Sequence, residues 1–275
     1  MPIRPKKSLG QNFLKDPFYL RKIVDAAAVT QDDQVLEIGP GLGHLTRELA
    51  ARAGRVVVVE LDDRLVPLLR RDLADASNVE IVHADALAFD YGSLAGTWKV
   101  VANLPYYIST PLIERLIASR SKFTTLTLML QKEVAERIAA GPGGRDYGVL
   151  SIMVQLHADP CIAFTVPPGA FTPPPKVDSA VVTLRVRRQS AVTVADEQFL
   201  EKVVKAAFSQ RRKTLRNSLG TLVDRAAAAN AAQAVGISPD RRPETLSLEE
   251  FGRLADALRA RPASGTVPAS HTDKT

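Results

Sequence analysis

Four consecutive residues in the first half of the chain, Asn103, Leu104, Pro105 and Tyr106, combine a side-chain amide, a main-chain carbonyl, a stiff turn residue and an aromatic ring. That set suits a flat, amine-bearing substrate. The exocyclic nitrogen of adenine is a poor nucleophile because its lone pair is delocalised into the ring. The Asn103 side-chain oxygen and the Leu104 carbonyl can accept its two N–H bonds and direct the lone pair outward. Pro105 stiffens the turn, and Tyr106 can stack on the base. This is positioning and electrostatics with no covalent nucleophile. A base in a duplex would have to be unpaired or flipped out to reach it. Asn and Pro are also ordinary turn residues, so the tetrapeptide gains meaning only beside a second site.

That second site lies upstream, where Glu37 precedes Gly39, Gly41 and Gly43. Glycines let a chain turn tightly and approach a ligand closely. Taken alone, they fit a ligand-free turn equally well. A dinucleotide site would use G-x-G-x-x-G with a pyrophosphate at the helix start, and Glu37 would repel that group. A carboxylate there suits a cationic, amine-bearing ligand instead, and S-adenosylmethionine has a sulfonium, an amino group and no phosphate. The next strand-like run ends in Glu60, placed for two ribose hydroxyls. The one after is followed by Asp85, which can accept from an adenine amino group. Each acid alone would read as surface charge; three features at successive strand ends predict an S-adenosylmethionine site.

The elements that must hold these residues alternate. Strand-like runs at 35–38, 56–59, 81–82, 100–101 and 126–130 are interleaved with helical spacing at 45–53, 65–73, 113–117 and 133–140. Strand–helix alternation predicts an α/β fold with a mostly parallel sheet and ligands at the carboxyl ends of its strands. A Pro-rich loop at 167–175 is expected to have no regular structure, and 177–186 reads as a strand. Beyond Arg188 the pattern is helical, at 199–224 and 248–258, with an Ala-rich stretch at 226–232. The expected organisation is a catalytic domain over 1–188, a small all-helical domain over 189–261 and a disordered tail over 262–275.

Composition bounds the partners. The 275 residues are 45% hydrophobic and 24% charged, ordinary for a globular chain with a core. The net charge of +6 favours a polyanion. Residues 1–14 are basic without an apolar stretch, and no run approaches membrane-span length, so a cytoplasmic protein is expected. Cys161 is the single cysteine, which rules out an internal disulfide. It is expected to be a small buried thiol, since it does not follow the fourth strand, where a nucleophile would be needed. The histidines show no metal-ligand spacing, so no metal is expected.

Taken together, Lys7-Ser-Leu-Gly-Gln-Asn-Phe-Leu14, the segment 37–43, Asn103-Leu-Pro-Tyr-Tyr-Ile-Ser-Thr-Pro111 and Phe171-Thr-Pro-Pro-Pro-Lys-Val-Asp-Ser179 resemble the ribosomal RNA adenine dimethyltransferases. Phe208-Ser-Gln-Arg-Arg-Lys-Thr-Leu-Arg-Asn-Ser-Leu219 is similar to the small-subunit branch. The resemblance runs from about Lys7 to Leu258. It implies a Rossmann-like class I methyltransferase sheet and dimethylation of two adjacent adenosines near the 3′ end of small-subunit (16S) RNA. The partner implied is the immature small ribosomal subunit. It further implies that Asn12 and Leu14 close over the cofactor with Gly39, Glu60, Asp85 and Asn103, and that Tyr106 and Phe171 sandwich the target adenine. Leu104 stands where the broader amino-methyltransferase signature has a proline.

Arg211, Arg212, Lys213 and Arg216 crowd one segment. Helical spacing would put Phe208, Leu215, Leu219 and Leu222 on one face and the cations beside it, towards RNA phosphates. A solvated basic face is the plainer alternative. Arg185, Arg187 and Arg188 form a weaker candidate. A monomer is expected. Two rival functions share these motifs: a large-subunit RNA adenine methyltransferase of the macrolide-resistance type, and a non-catalytic ribosome-assembly factor.

Overall fold

The computed structural model describes residues 5–6, 9–210 and 212–260. Arg211 and the tail expected over 262–275 lie outside the described residues. The chain divides into two compact units, Met1–Ala140 with Leu150–Ala191, and Gly141–Val149 with Val192–Thr275.

The first unit opens with a two-residue strand, β1 (Phe13–Leu14), and helix α1 (Pro17–Ala26). Asp16 caps α1: its carboxylate accepts the Phe18 N–H at 2.9 Å, and Pro17 takes the first position, where no N–H is needed. The chain then alternates through β2 (Gln34–Ile38), α2 (His44–Ala50), β3 (Arg55–Glu60), α3 (Val66–Asp72), β4 (Val79–His83), β5 (Trp98–Asn103), α4 (Ser109–Ala118), β6 (Phe123–Gln131), α5 (Lys132–Ala139), α6 (Val149–His157), β7 (Ala158–Val166), β8 (Phe171–Thr172) and β9 (Ser179–Val186).

Seven of these strands form one sheet in the order β4-β3-β2-β5-β6-β9-β7. Strands β2 to β6 are parallel, and β9 runs antiparallel to both β6 and β7. Neighbouring strand residues face opposite sides. Leu36, Val57 and Val100 therefore enter one apolar cluster, and Val35, Val58 and Val101 the other. Helices cover both faces, as a parallel sheet requires. The strand order reverses between β2 and β5, and at that point the carboxyl ends diverge and leave a crevice.

Three expectations change. The Pro-rich stretch is not wholly irregular: Pro168–Ala170 makes a 3-10 turn and β8 pairs antiparallel with β1, Leu14 opposite Phe171. Phe171 and Thr172 precede the prolines that lack donors, so both can join a ladder. Residues 158–166, unassigned from the sequence, form the edge strand β7, whose Pro160 and mixed polarity hide the strand signal. Cys161 on that strand is exposed rather than buried.

The second unit is helical among its described residues, with α7 (Glu197–Phe208), α8 (Leu215–Ser218), α9 (Arg225–Ala234) and α10 (Leu248–Arg259). Helix α10 starts with a capping box between Ser247 and Glu250. It packs on α7 and α9, with Phe251 and Leu254 fully buried. The basic segment is not one continuous helix. Helix α7 ends at Phe208, and Thr214 is extended before α8. The N–H groups of Leu215 and Arg216 turn away to the carbonyls of Arg241 and Pro239, at 2.9 and 3.2 Å. That diversion buries Leu215 and leaves Arg212 and Lys213 exposed on a loop. Arg216 is paired with Asp240 at 3.0 Å.

Candidate active site

A half-open cavity lies in the crevice at the carboxyl ends of β2 to β5, the usual ligand position in an open α/β sheet. Its wall carries Glu37 near the end of β2 and Gly39 after it, Glu60 closing β3, Asp85 after β4, and Asn103 closing β5 with Leu104 to Tyr106 beyond. Asn12 and Leu14 reach it from the N-terminal segment, which crosses the cavity as a strap.

Hydrogen bonds hold that strap down. The Asn103 side-chain Nδ2 donates to the Asn12 carbonyl at 3.2 Å. Gln11 Nε2 donates to Asp62 at 2.9 Å, and the Leu14 carbonyl lies 3.2 Å from His44 Nδ1. Gly41 makes the close approach possible: its φ is +58° and an added Cβ would stand 2.9 Å from the Phe13 ring.

The acids differ in state. Glu37 is 1% exposed, and burial pushes its carboxyl up to about 8, opposed by the neighbouring Thr46 hydroxyl and aided by the charge of Glu60. Its Oε2 is buried without a hydrogen-bond partner. Glu60 is also raised, by burial first, although it accepts the Asp62 and Gly41 N–H groups at 2.7 and 3.3 Å. Asp62 goes the other way: the Arg64 guanidinium, bound through two nitrogens, holds it well below the usual carboxylate range. Asp85 accepts the Leu87 N–H at 2.8 Å.

The tetrapeptide is fixed from both ends. The Leu104 N–H donates to the Met129 carbonyl on β6 at 3.1 Å. The Tyr106 hydroxyl lies 2.6 Å from Ser179 Oγ on β9, and the Ile108 N–H closes the turn on the Pro105 carbonyl at 3.2 Å. Asn103 lines the cavity, and with Nδ2 committed to Asn12 its oxygen is the acceptor left to it.

Gly43 and Phe171 are not brought to the cavity wall. Gly43, at φ +77°, precedes α2 and packs under Leu69, which would be 3.0 Å from a Cβ. Phe171 is 4% exposed and sits in the apolar cluster with Leu14 and Leu20, because β1–β8 pairing turns its ring into the core. Sequence reasoning missed Gln11, Asp62, Arg64, Ser179 and Tyr107. Gln11, Tyr107 and Ser179 lie inside recognisable motifs, but nothing in residue type shows that Gln11 meets Asp62 or that Ser179 meets Tyr106. Among the described residues no group of His, Cys, Asp or Glu could hold a metal ion, and no helix is long and apolar enough to cross a membrane.

The donor set suits S-adenosylmethionine. An orphaned, buried carboxylate oxygen on Glu37 seeks a cationic or N–H partner, and the acids at the ends of β3 and β4 offer acceptors for ribose and adenine.

Comparison with known proteins agrees. A family model described as ribosomal RNA adenine dimethylase matches residues 3–260. A ribosomal RNA small subunit methyltransferase A from Geobacter metallireducens is 49% identical over 94% of this chain and 97% of its own. A protein of the same name from Moorella thermoacetica is 47% identical over 93% of each. Among solved structures, a dimethyladenosine transferase from Plasmodium falciparum aligns with TM-score 0.77 and 30% identity, covering 88% of this chain and 95% of its own. The 23S rRNA methyltransferase ErmE aligns with TM-score 0.71 and 29% identity, covering 90% and 100%.

Proposed function

This chain belongs to the ribosomal RNA adenine dimethylase family, and on that premise we propose that it converts two adjacent adenosines near the 3′ end of small-subunit (16S) ribosomal RNA to N6,N6-dimethyladenosine. It is an S-adenosylmethionine-dependent methyltransferase acting on ribosomal RNA. Its substrate is the immature small subunit, met by a monomer during ribosome biogenesis. The small-subunit target is favoured because relatives near half-identical over almost the whole chain bear that name, while the large-subunit enzyme is 29% identical.

The observation that carries the reading is Asn103. Its amide is pinned by the strap at 3.2 Å, and it lines the same cavity as Glu37, Glu60 and Asp85. The bound cofactor supplies an electrophilic methyl group. The residues do the rest. Asn103 Oδ1 and the Leu104 carbonyl hold the two N6 protons of the target adenine and aim its lone pair into the cavity. Tyr106, tethered to Ser179, offers a ring of fixed orientation for the base. Glu37 faces the cationic part of the cofactor, Glu60 the ribose and Asp85 the adenine, while Asn12 and Leu14 close over it. No general base is required to start the reaction, since the proton leaves a nitrogen that has already become cationic. Arg212, Lys213 and Arg216, with Arg211, are the RNA-contact residues of this reading.

The test is tritiated methyl transfer to purified immature small subunits with nucleoside analysis. N6,N6-dimethyladenosine at two neighbouring positions is expected, with Asn103→Ala slower by roughly 100- to 1000-fold. Incorporation into large-subunit RNA alone, or full activity of Asn103→Ala, would overturn it.

A further inference from the structure

Tyr107 follows the substrate-side Tyr106 yet points elsewhere. Its side chain lines the same cavity, and it is 53% exposed, an unusual position for a large ring in a chain with 5% aromatic residues. Two features orient it. On one side it lies against the strap at Gly10, whose φ is +55° and where an added Cβ would come within 3.1 Å of the ring. On the other, its hydroxyl lies in the field of Asp85 and Glu60; burial first and then those two charges push the phenol up, so it stays a donor. The 3-10 turn Tyr106–Ile108 that carries it is fixed at its start by the Pro105 carbonyl and at its end by Ser109 Oγ, 3.0 Å from the Tyr106 carbonyl. Two successive residues of one rigid turn therefore present rings in two directions, Tyr106 towards Ser179 and Tyr107 towards the acids at the ends of β3 and β4.

We propose that Tyr107 is a further cofactor-binding residue, its ring, backed by Gly10, roofing the adenosine end of the cavity between Glu60 and Asp85. This rests on the reading of the cavity as the S-adenosylmethionine site. A flat ring over a purine is worth several-fold in affinity even at a half-open site. Gly10 is then required for contact: any side chain there would push the ring off its seat and would also hold a left-handed backbone. The adenosine moiety is common to cofactor and demethylated product, so the roof acts on both alike.

Calorimetry with S-adenosylmethionine and S-adenosylhomocysteine on the wild type, Tyr107→Ala, Tyr107→Phe, Gly10→Ala and the Gly10→Ala/Tyr107→Ala double variant tests this. Tyr107→Ala should weaken both ligands equally, by roughly tenfold, and Tyr107→Phe should restore most of the loss. Gly10→Ala should cost less in the Tyr107→Ala background than alone, since the clash has gone while the backbone strain remains in both. The KM for small subunits at saturating cofactor should stay within about twofold of wild type. Thermal unfolding confirms that the half-exposed truncation leaves the fold intact. Unchanged affinity for both ligands overturns the proposal, as does loss of the sulfonium form alone, which would put the ring at the methyl end. A raised KM for small subunits with cofactor affinity intact also overturns it and gives the ring to RNA. A wild-type protein that binds neither ligand would instead remove the cavity reading itself.

Discussion

Replacing Glu37 with Gln should stabilise the empty protein while weakening its hold on the cofactor. Glu37 has a carboxyl pushed up to about 8 from an ordinary 4.5 by burial. A raised acid stabilises the fold below its unfolded value and loses that contribution as pH climbs to the folded value. The empty wild type therefore loses stability between about pH 4.5 and 8 through this one group. At about 1.4 kcal/mol per pH unit the full cost is about 5 kcal/mol, of which about 3 kcal/mol is reached by pH 7. Gln has the same shape and never ionises. Glu37→Gln should match wild type near pH 4.5 and exceed it by up to about 3 kcal/mol at pH 7, which is about 6–12 °C in Tm for a chain of this size. With S-adenosylmethionine the order should reverse. A cation beside Glu37 restores its charge, so wild-type binding should release a proton below pH 8 and tighten with rising pH; the variant should show neither. Thermal scans from pH 5 to 9, paired with calorimetry in buffers of different ionisation enthalpy, read both effects. A wild-type-to-variant difference in Tm that does not change with pH, or cofactor binding to wild type without proton release, would refute the reasoning.

Four further outcomes follow from the geometry. Gly41→Ala should lower stability by at least about 1–2 kcal/mol from its left-handed backbone and weaken cofactor binding, because the methyl would meet Phe13 at 2.9 Å; unfolding and calorimetry measure the two. Ser179→Ala removes the tether on the Tyr106 hydroxyl and should reduce kcat/KM for RNA by roughly fivefold, about 1 kcal/mol, with cofactor affinity unchanged. Arg212→Ala should weaken RNA binding and lower its salt slope by roughly 1. Arg216→Ala should do less, because Arg216 is engaged with Asp240 at 3.0 Å; filter binding across a salt series separates them.

The parallel half of the sheet was legible because β2, β3 and β5 carry buried apolar runs, with Glu37 one residue before the end of β2 and Glu60 and Asn103 closing β3 and β5. The acids and Asn103 were legible for the same reason, since topology alone brings successive strand ends together. Strand β7 was not, because an edge strand with Pro160 and exposed Cys161 shows neither alternation nor a buried run. The ring of Phe171 was misplaced because an aromatic in a Pro-rich loop reads as a surface plate; the two-residue pairing with β1 that turns it inward has no local signature. The break after Phe208 was hidden for a related reason. Residues 208–219 have helical spacing, yet the Leu215 and Arg216 N–H groups find carbonyls some 25 residues away in sequence, at Arg241 and Pro239. Long-range hydrogen bonds of this kind decide local structure without altering local composition.

An acid-lined cavity is an awkward place to receive a polyanion, and the charge states resolve the conflict. Glu37, Glu60, Asp62 and Asp85 together would set up a strongly negative field if all were ionised. Burial holds Glu37 mostly protonated near neutral pH and pushes Glu60 in the same direction. Arg64 neutralises Asp62 through a two-point contact. The negative field at the mouth of the empty site is thereby weakened. On the proposed reading, the carboxylate that a cationic cofactor needs would appear as the cofactor arrives, because a neighbouring positive charge makes ionisation of Glu37 favourable. The strap follows the same logic: it is held by Asp62 through Gln11 and by Asn103 through the Asn12 carbonyl. In the proposed reaction, the segment that would cover the cofactor also commits the Asn103 Nδ2 donor and leaves its oxygen for the adenine amine. Cofactor enclosure and substrate alignment would then depend on one short stretch of chain, and the strand ends alone, without the strap, would make only half of a reaction site.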